Sequence, residues 1–233
     1  MKDLGKIVLH IPARAGSKRV PNKNIRLMND IPMIFYSIHS SIEANITEDV
    51  YLNTDSDSLI KIVTDHYKIK TYKRNNVLAG DKSSSDDFNY DIIKSLNPNT
   101  LIMINPVCPL IESTDIIGAI SRYQESDCDT LISAESSTMQ AFKSQSPINI
   151  KLDEPLAPSQ DNERVFILNW AITIWDAKKF AERMKTSGYA VLGNRREFFE
   201  LDRLKSIKVS YENDFLLAEK LLSMRQTNQK IIR

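Results

Sequence analysis

Cysteine and histidine are scarce in this chain of 233 residues: it has Cys108 and Cys128, and His10, His39 and His66. Two thiols separated by mixed sequence make neither a disulfide framework nor a zinc motif, so both are expected as buried free thiols. The histidines fall in three different elements, and no pair has metal-ligand spacing. Neither sign of charge dominates. The net charge is +1, so the surface as a whole does not advertise a nucleic-acid or membrane partner. Long apolar runs are missing, and no window approaches a membrane span. Met1 to Gly5 contain no signal-type apolar stretch, and a cytoplasmic location is expected. Internal repeats and low-complexity tracts are lacking too. What remains is 42% hydrophobic and 26% charged. That is the composition of a globular chain with a sizeable core, expected as one domain over 1–233.

Strand and helix signals alternate over the first half. Ile7-Val8-Leu9-His10-Ile11 is a nearly continuous apolar run, the pattern of a strand buried on both faces. Pro32 opens a helix whose apolar face is Ile34, Phe35, Ile38 and Ile42. Val50 to Leu52 is a second strand. Ser56 or Asp57 caps a helix with Leu59, Ile60, Val63 and Tyr67 at helical spacing. Ile69 to Tyr72 is a third strand, followed by a loop over 73–85 and a helix over 86–96. Leu101 to Ile104 is a fourth strand. Ser113 or Thr114 caps a helix carrying Ile116, Ile117 and Ile120, and Thr130 to Ser133 is a fifth strand. This alternation predicts an α/β fold: a Rossmann-like, mostly parallel sheet with helices on both faces. Residues 134–165 are rich in Ser, Gln, Asn and Pro and read as a small extension, a dimerisation arm. Phe166–Leu168 and Ala171–Ile174 resume the sheet. A helix over 176–185, a strand near Ile207–Val209 and a closing helix from Glu212 complete the reading, and a frayed polar tail is expected over 225–233.

In such a sheet ligands sit beyond the carboxyl ends of the strands. The loop after the first strand is the most unusual one. Between Leu4 and Asn29 the chain carries Lys6, Arg14, Lys18, Arg19, Lys23 and Arg26 and no acidic residue. Gly16 allows close backbone approach, Ser17 adds a hydroxyl, Arg14 can grip phosphate oxygens in pairs, and Lys18 and Lys23 act as point charges. The loop has neither Walker spacing nor the Gly-x-Gly-x-x-Gly turn. It reads as a polyphosphate site; without interleaved aromatic residues, a nucleic-acid surface is the minor alternative.

Ile11-Pro12-Ala13-Arg14-Ala15-Gly16-Ser17-Lys18-Arg19-Val20-Pro21-Asn22-Lys23-Asn24 resembles the nucleotide-binding loop of the CMP-sialic acid synthetase family, the acylneuraminate cytidylyltransferases. Leu52 to Asp57, Lys73-Arg74 with Leu78 to Ser85, and Ile104 to Leu110 resemble further motifs of that family, in the same order. The resemblance implies a nucleotidyltransferase that moves CMP from CTP to a 2-keto sugar acid and releases pyrophosphate, with magnesium as cofactor. It implies catalytic roles for Arg14 and Lys23. Arg14, Gly16, Ser17, Lys18 and Asn24 would hold the nucleotide with Arg74, Ala79 and Ser83, and Asn105, Lys143 and Asn169 would meet the acceptor. It also implies a homodimer with no nucleic-acid or membrane partner.

The chain departs from the family pattern at three places. Ile111 and Ile167 stand where the family usually has arginine. Leu168-Asn169-Trp170-Ala171 replaces Pro-Asn-Gly-Ala. The family's magnesium-binding Ser-Ile-Asp-Ile-Asp reads Ser206-Ile207-Lys208-Val209-Ser210, so a lysine and a serine stand at the carboxylate positions. Glu200 and Asp202 are the nearby acids that would have to substitute. These departures leave open a CTP-dependent transferase on a different acceptor, or a nucleotide-binding homologue without catalysis.

Overall fold

The computed structural model describes residues 1–17 and 19–225. Lys18 and all of the expected polar tail beyond Arg225 lie outside the described residues. β1 (Ile7–Pro12) leads through a small ribbon, β2 (Leu27–Met28) and β3 (Ile31–Pro32), into α1 (Met33–Glu43). Next come β4 (Val50–Thr54), α2 (Asp57–Thr64), β5 (Lys70–Lys73), the single turn α3 (Asn76–Ala79) and α4 (Ser85–Leu96). β6 (Thr100–Ile104), α5 (Ser113–Glu125) and β7 (Thr130–Ser137) follow. A second ribbon, β8 (Phe142–Lys143) with β9 (Ser146–Pro147), precedes the long β10 (Val165–Asp176). The described chain closes with α6 (Ala177–Ser187), β11 (Arg196–Glu200) and α7 (Glu212–Met224).

The main sheet has the order β11-β7-β10-β6-β1-β4-β5. β1 is parallel to β4 and β6, β4 to β5, and β7 to β11. β10 runs antiparallel to β6 and β7. The mostly parallel α/β sheet expected from the sequence is therefore present.

Alternate residues of a strand face opposite sides, so strands covered on both faces read as unbroken apolar runs. Leu9, Ile11, Ile102 and Ile104 pack with Ile34 and Ile38 of α1, Leu59 and Val63 of α2, and Ile116 and Ile120 of α5. Val8, Leu101 and Met103 pack instead with Ile92 and Ile93 of α4 and Phe180 of α6. Each such side chain taken from water contributes roughly 1.5–3 kcal/mol. A third cluster joins Val20 of the basic loop and Met28 to Val209 and to Phe215 of α7. It fixes the closing helix against the loop after β1.

Several boundaries differ from expectation. The Ser56 side chain caps α2, as one reading had it, but α5 starts behind Glu112 rather than Ser113 or Thr114. Glu112 and Asp115 form a reciprocal box that satisfies the first-turn N–H groups. Ile42 and Ile117 are exposed, so the apolar faces of α1 and α5 are narrower than predicted. The loop over 73–85 contains α3. Phe166–Leu168 and Ala171–Ile174 belong to one strand broken by a bulge: the pairing register shifts between Leu168 and Thr173. The strand expected near Ile207–Val209 is absent. That stretch is irregular and tied by one backbone bond, Val209 N–H to Val107 O at 2.7 Å. The strand that does form is β11, whose Arg-Glu-Phe-Phe-Glu sequence has charged ends and no alternation. An edge strand can bear such charges because one side is unpaired.

Candidate active site

β1 is the point where the chain reverses direction across the sheet: β4 and β5 lie on one side of it, β6 on the other. The crevice outside the carboxyl ends of β1 and β6 is where such sheets hold ligands. The basic loop leaves from there and is pinned by its neighbours. Ala13 N–H donates to Asn53 O at 2.9 Å, Ala15 N–H to Asp55 Oδ1 at 2.9 Å, and Asn24 Nδ2 to Arg14 O at 3.2 Å. A Cβ added at Gly16 would meet no protein atom within 4 Å. The glycine is therefore not demanded by packing.

Two cavities adjoin along this edge and share Pro12 and Arg14. One, of about 450 Å³, is lined by Gly16, Ser17, Arg19, Lys23 and Asn24 of the loop and by Pro106 and Val107 after β6. The other, of about 360 Å³, is lined by Arg74, Ser85, Phe88, Asn105, Trp170, Trp175 and Lys208, among others. The first thus gathers Arg14, Gly16, Ser17, Lys23 and Asn24 from the expected site, and the second gathers Arg14, Arg74 and Asn105. Other expected residues lie apart from these walls. The Ala79 carbonyl accepts from Arg14 Nη1 at 3.5 Å, and Ser83 donates to Ser84 O at 3.5 Å. Neither lines either of these two cavities; Ser85 and Phe88 of α4 occupy that side of the second. Lys143 sits exposed on the β8–β9 ribbon. Asn169 is buried and fully engaged. Its Oδ1 accepts from Ser133 Oγ at 2.6 Å and Ala171 N–H at 3.1 Å, and its Nδ2 donates to Ser206 Oγ at 3.0 Å.

That network holds the bulge of β10. Trp170, at its apex, has φ +61°, a left-handed conformation that costs a bulky residue on the order of 1–3 kcal/mol. The same position is glycine in the family pattern, which the backbone now explains. Strain of this kind persists where surrounding structure over-determines it, and here it sets a tryptophan in the cavity wall.

Burial, then Arg19 and Lys208, hold the Lys23 ammonium below its ordinary range; Arg14 adds to the repulsion. Lys23 Nζ donates to Val209 O at 2.8 Å. Although Arg14 is paired with Asp81 at 3.0 Å, the pocket concentrates positive charge around Lys23, the condition that favours a polyanion. Arg74 is buried. Its Nε donates to Asn53 Oδ1 at 2.8 Å, its Nη2 to Asn53 O at 2.9 Å, and its guanidinium lies 4.5 Å from the Phe88 ring centroid. Burial lowers it to about 10, against the pull of Asp55 and Asp91. Beneath it, burial and then Arg74 push His10 down to about 3, so its imidazole is neutral. Asn53 Nδ2 lies 3.3 Å from His10 Nδ1 and, because Asn53 Oδ1 accepts from Arg74, donates to it. Cys108 and Cys128 are buried free thiols, as expected, and burial raises Cys108 to about 12. Such a thiol is no nucleophile.

The walls of both cavities contain no carboxylate. Among the described residues no group of three or more His, Cys, Asp or Glu is placed to hold a metal. Glu200 accepts from Ser136 and pairs with Arg164, and Asp202 accepts from Leu204 N–H at 2.8 Å. Neither acid substitutes at the site. Magnesium prefers several hard oxygen ligands, and the donor set here does not fit a protein-held ion.

Sequence reasoning missed Ser85, Phe88, Trp175 and Val191 of the second cavity, and passed over Arg19 of the first except as one of the loop's cations. Phe88 on a helix and Trp175 on a strand both carry the signal of core residues, and nothing in their spacing marks a wall.

A β-α sheet with a cation-rich cavity at its switch point, adjoining a half-apolar one, is an arrangement suited to a nucleotide-handling protein. The comparisons are more specific. The family model described as cytidylyltransferase matches residues 8–230, and the chain belongs to that family. Post-translational flagellin modification protein B of Campylobacter coli is 26% identical over 241 residues, covering 97% of this chain and 99% of that protein. CMP-N,N'-diacetyllegionaminic acid synthase of Legionella pneumophila subsp. pneumophila is 24% identical, covering 95% and 98%. The solved structure of CMP:2-keto-3-deoxy-manno-octonic acid synthetase complexed with CTP shares the fold, with a TM-score of 0.67 at 15% identity over 94% of this chain and 98% of that one. Among the described residues, no helix is long and apolar enough to cross a membrane.

Proposed function

We propose that this cytidylyltransferase transfers CMP from CTP to a hydroxyl of a 2-keto sugar acid of the sialic-acid-like class. The observation that carries the reading is the pair of adjoining cavities sharing Arg14, one lined by cations and the other by Arg74, Phe88 and Asn105. The triphosphate occupies the first, held by Arg14, Ser17, Lys23 and Asn24, with Lys18 as a further ligand. Cytosine lies toward Arg74 and Phe88, and the acceptor toward Asn105 and Trp170. The acceptor oxygen bonds to the α-phosphorus. The bond from that phosphorus to the bridging oxygen of the β-phosphate breaks, pyrophosphate leaves with the electron pair, and the hydroxyl proton passes to water. Such a step needs positioning and charge stabilisation more than covalent help, and the cations of the loop supply both. The acceptor class is supported by what the legionaminic acid and octonic acid synthases are named for.

The whole chain forms one catalytic unit that works in the cytoplasm. Its 134–165 segment is the arm of a homodimer. Met139, Phe142, Ile148, Leu152, Leu156 and the adjoining Ile167 expose apolar surface there that a second copy would cover. A strained tryptophan in the acceptor wall favours one second reading, an acceptor outside the nine-carbon sugars. The test is pyrophosphate release from each nucleoside triphosphate against a panel of 2-keto sugar acids. Turnover with CTP and one such acid is expected; none with any acid, alongside tight CTP binding, overturns the transferase reading.

A further inference from the structure

Lys208 is the one titratable group in the second cavity that the proposed transfer leaves without a task. It lies on an irregular segment, yet the segment is anchored at three places. Ser206 Oγ accepts from Asn169 Nδ2 at 3.0 Å, Val209 N–H donates to Val107 O at 2.7 Å, and Lys23 Nζ donates to Val209 O at 2.8 Å. Ser210 N–H is further tied to Asp214 Oδ2 at 2.9 Å. The backbone on both sides of residue 208 is thus held against the floor of the site, and the lysine is directed into the cavity with Arg14 and Asn105. Its charge acts on Lys23, which belongs to the other cavity. Lys208 therefore stands where the two cavities meet, among cations; Arg14 is paired with Asp81 at 3.0 Å, which lines neither cavity, and no carboxylate lines the walls beside Lys208 and Lys23.

We propose that Lys208 is a phosphate ligand at this junction, its ammonium meeting the α-phosphate and supplying from the protein the charge that wall carboxylates would otherwise recruit as a metal ion. The assignment rests on the nucleotide occupying the two cavities as described above. As the acceptor attacks and pyrophosphate departs, negative charge on the α-phosphate oxygens is met by a fixed cation already in place. The walls hold no divalent ion of their own.

Calorimetry with cytidine and CMP, without metal, tests the contact. Lys208→Ala is expected to weaken CMP about tenfold while leaving cytidine unchanged, and Lys208→Arg to restore most of the loss. Equal CMP affinity in the wild type and Lys208→Ala would overturn the assignment, as would parallel losses for cytidine and CMP. Paramagnetic titration with Mn²⁺ alone tests the metal half. No stoichiometric binding is expected for the nucleotide-free wild type, and binding should appear in the double variant Lys208→Asp, Ser210→Asp. A tight Mn²⁺ site in the nucleotide-free wild type would overturn it. Failure of the transfer reading is separable, because it would leave this CMP-to-cytidine discrimination intact while no sugar acid is turned over.

Discussion

The two walls of the site are built by opposite strategies. The loop over 13–24 is polar and is held by bonds that neighbouring elements lend it, chiefly from Asn53 and Asp55. Its cationic side chains add ties of their own, Lys23 to Val209 O and Arg14 to Asp81, at the edge of the loop. The bulge at 169–171 is the reverse. Its conformation is unfavourable, and buried Asn169, Ser133 and Ser206 enforce it through their own side chains. Substitutions in the first wall should therefore strike chemistry and spare the fold, and substitutions in the second should strike both.

The largest expected effect breaks the first wall. Lys23→Ala should lower kcat/KM for CTP about 10³-fold, since removing one preorganised charge from an acyl or phosphoryl transition state costs on that order. Its melting temperature should change little, because relief from repulsion by Arg19 and Lys208 offsets the lost bond from Lys23 Nζ to Val209 O. Arg14→Ala should cost about 10²-fold, less because Asp81, 3.0 Å away, already shares that guanidinium. Steady-state pyrophosphate release together with thermal melts checks both variants. Near-normal turnover would remove the loop from the mechanism.

The second wall should yield smaller but different losses. Asn169→Ala takes the acceptor from the Ala171 N–H and the Ser133 hydroxyl in a buried place, while Ser133 Oγ still accepts from Ile172 N–H and Ser206 Oγ still donates to Leu201 O, a cost of about 2–3 kcal/mol. Urea denaturation should show it, with activity falling in step. Trp170→Gly should change stability little, strain relief of about 1 kcal/mol offsetting lost packing, while altering KM for the acceptor and not for CTP. A change in KM for CTP alone would place Trp170 against the nucleotide instead.

The smallest effect sharpens the comparison from below. His10 is neutral in the folded chain, lowered from 6.5 to about 3. The unfolded chain binds the extra proton between these values. Stability is therefore complete above about pH 6.5 and is lost as pH falls toward 3, by at most about 1.4 kcal/mol per pH unit for one proton. His10→Gln should show a shallower fall across that window in urea titrations at stepped pH. Identical slopes would mean that His10 is not the group responsible.

Much of this molecule was legible before its structure, and the reasons are physical. Strands covered on both faces leave unbroken apolar runs, so β1, β4 and β6 could be read directly. Charge on one loop cannot be hidden by folding, so the cluster that includes Arg14 and Lys23 could be read from the sequence, and both line one cavity. The rest depended on contacts remote in sequence. Phe88 and Trp175 read as core because a residue lining a half-apolar cavity has the same composition as one beneath it. β11 escaped because the partner that makes it a strand, β7, lies more than sixty residues away. Asn169 looked like an acceptor ligand, and the structure spends its amide on the bulge instead.

The rims of the sheet carry one further lesson. β5 closes one side with Lys70 and Lys73, and β11 closes the other with Arg196, Glu197 and Glu200. An unpaired strand is a template on which a foreign chain can crystallise its own backbone, and the charges at the ends of these two strands make docking costly. A second copy is thus denied the easy route of lengthening the sheet. In the proposed homodimer, association would run instead through the apolar projection between β7 and β10, away from any open-ended stacking.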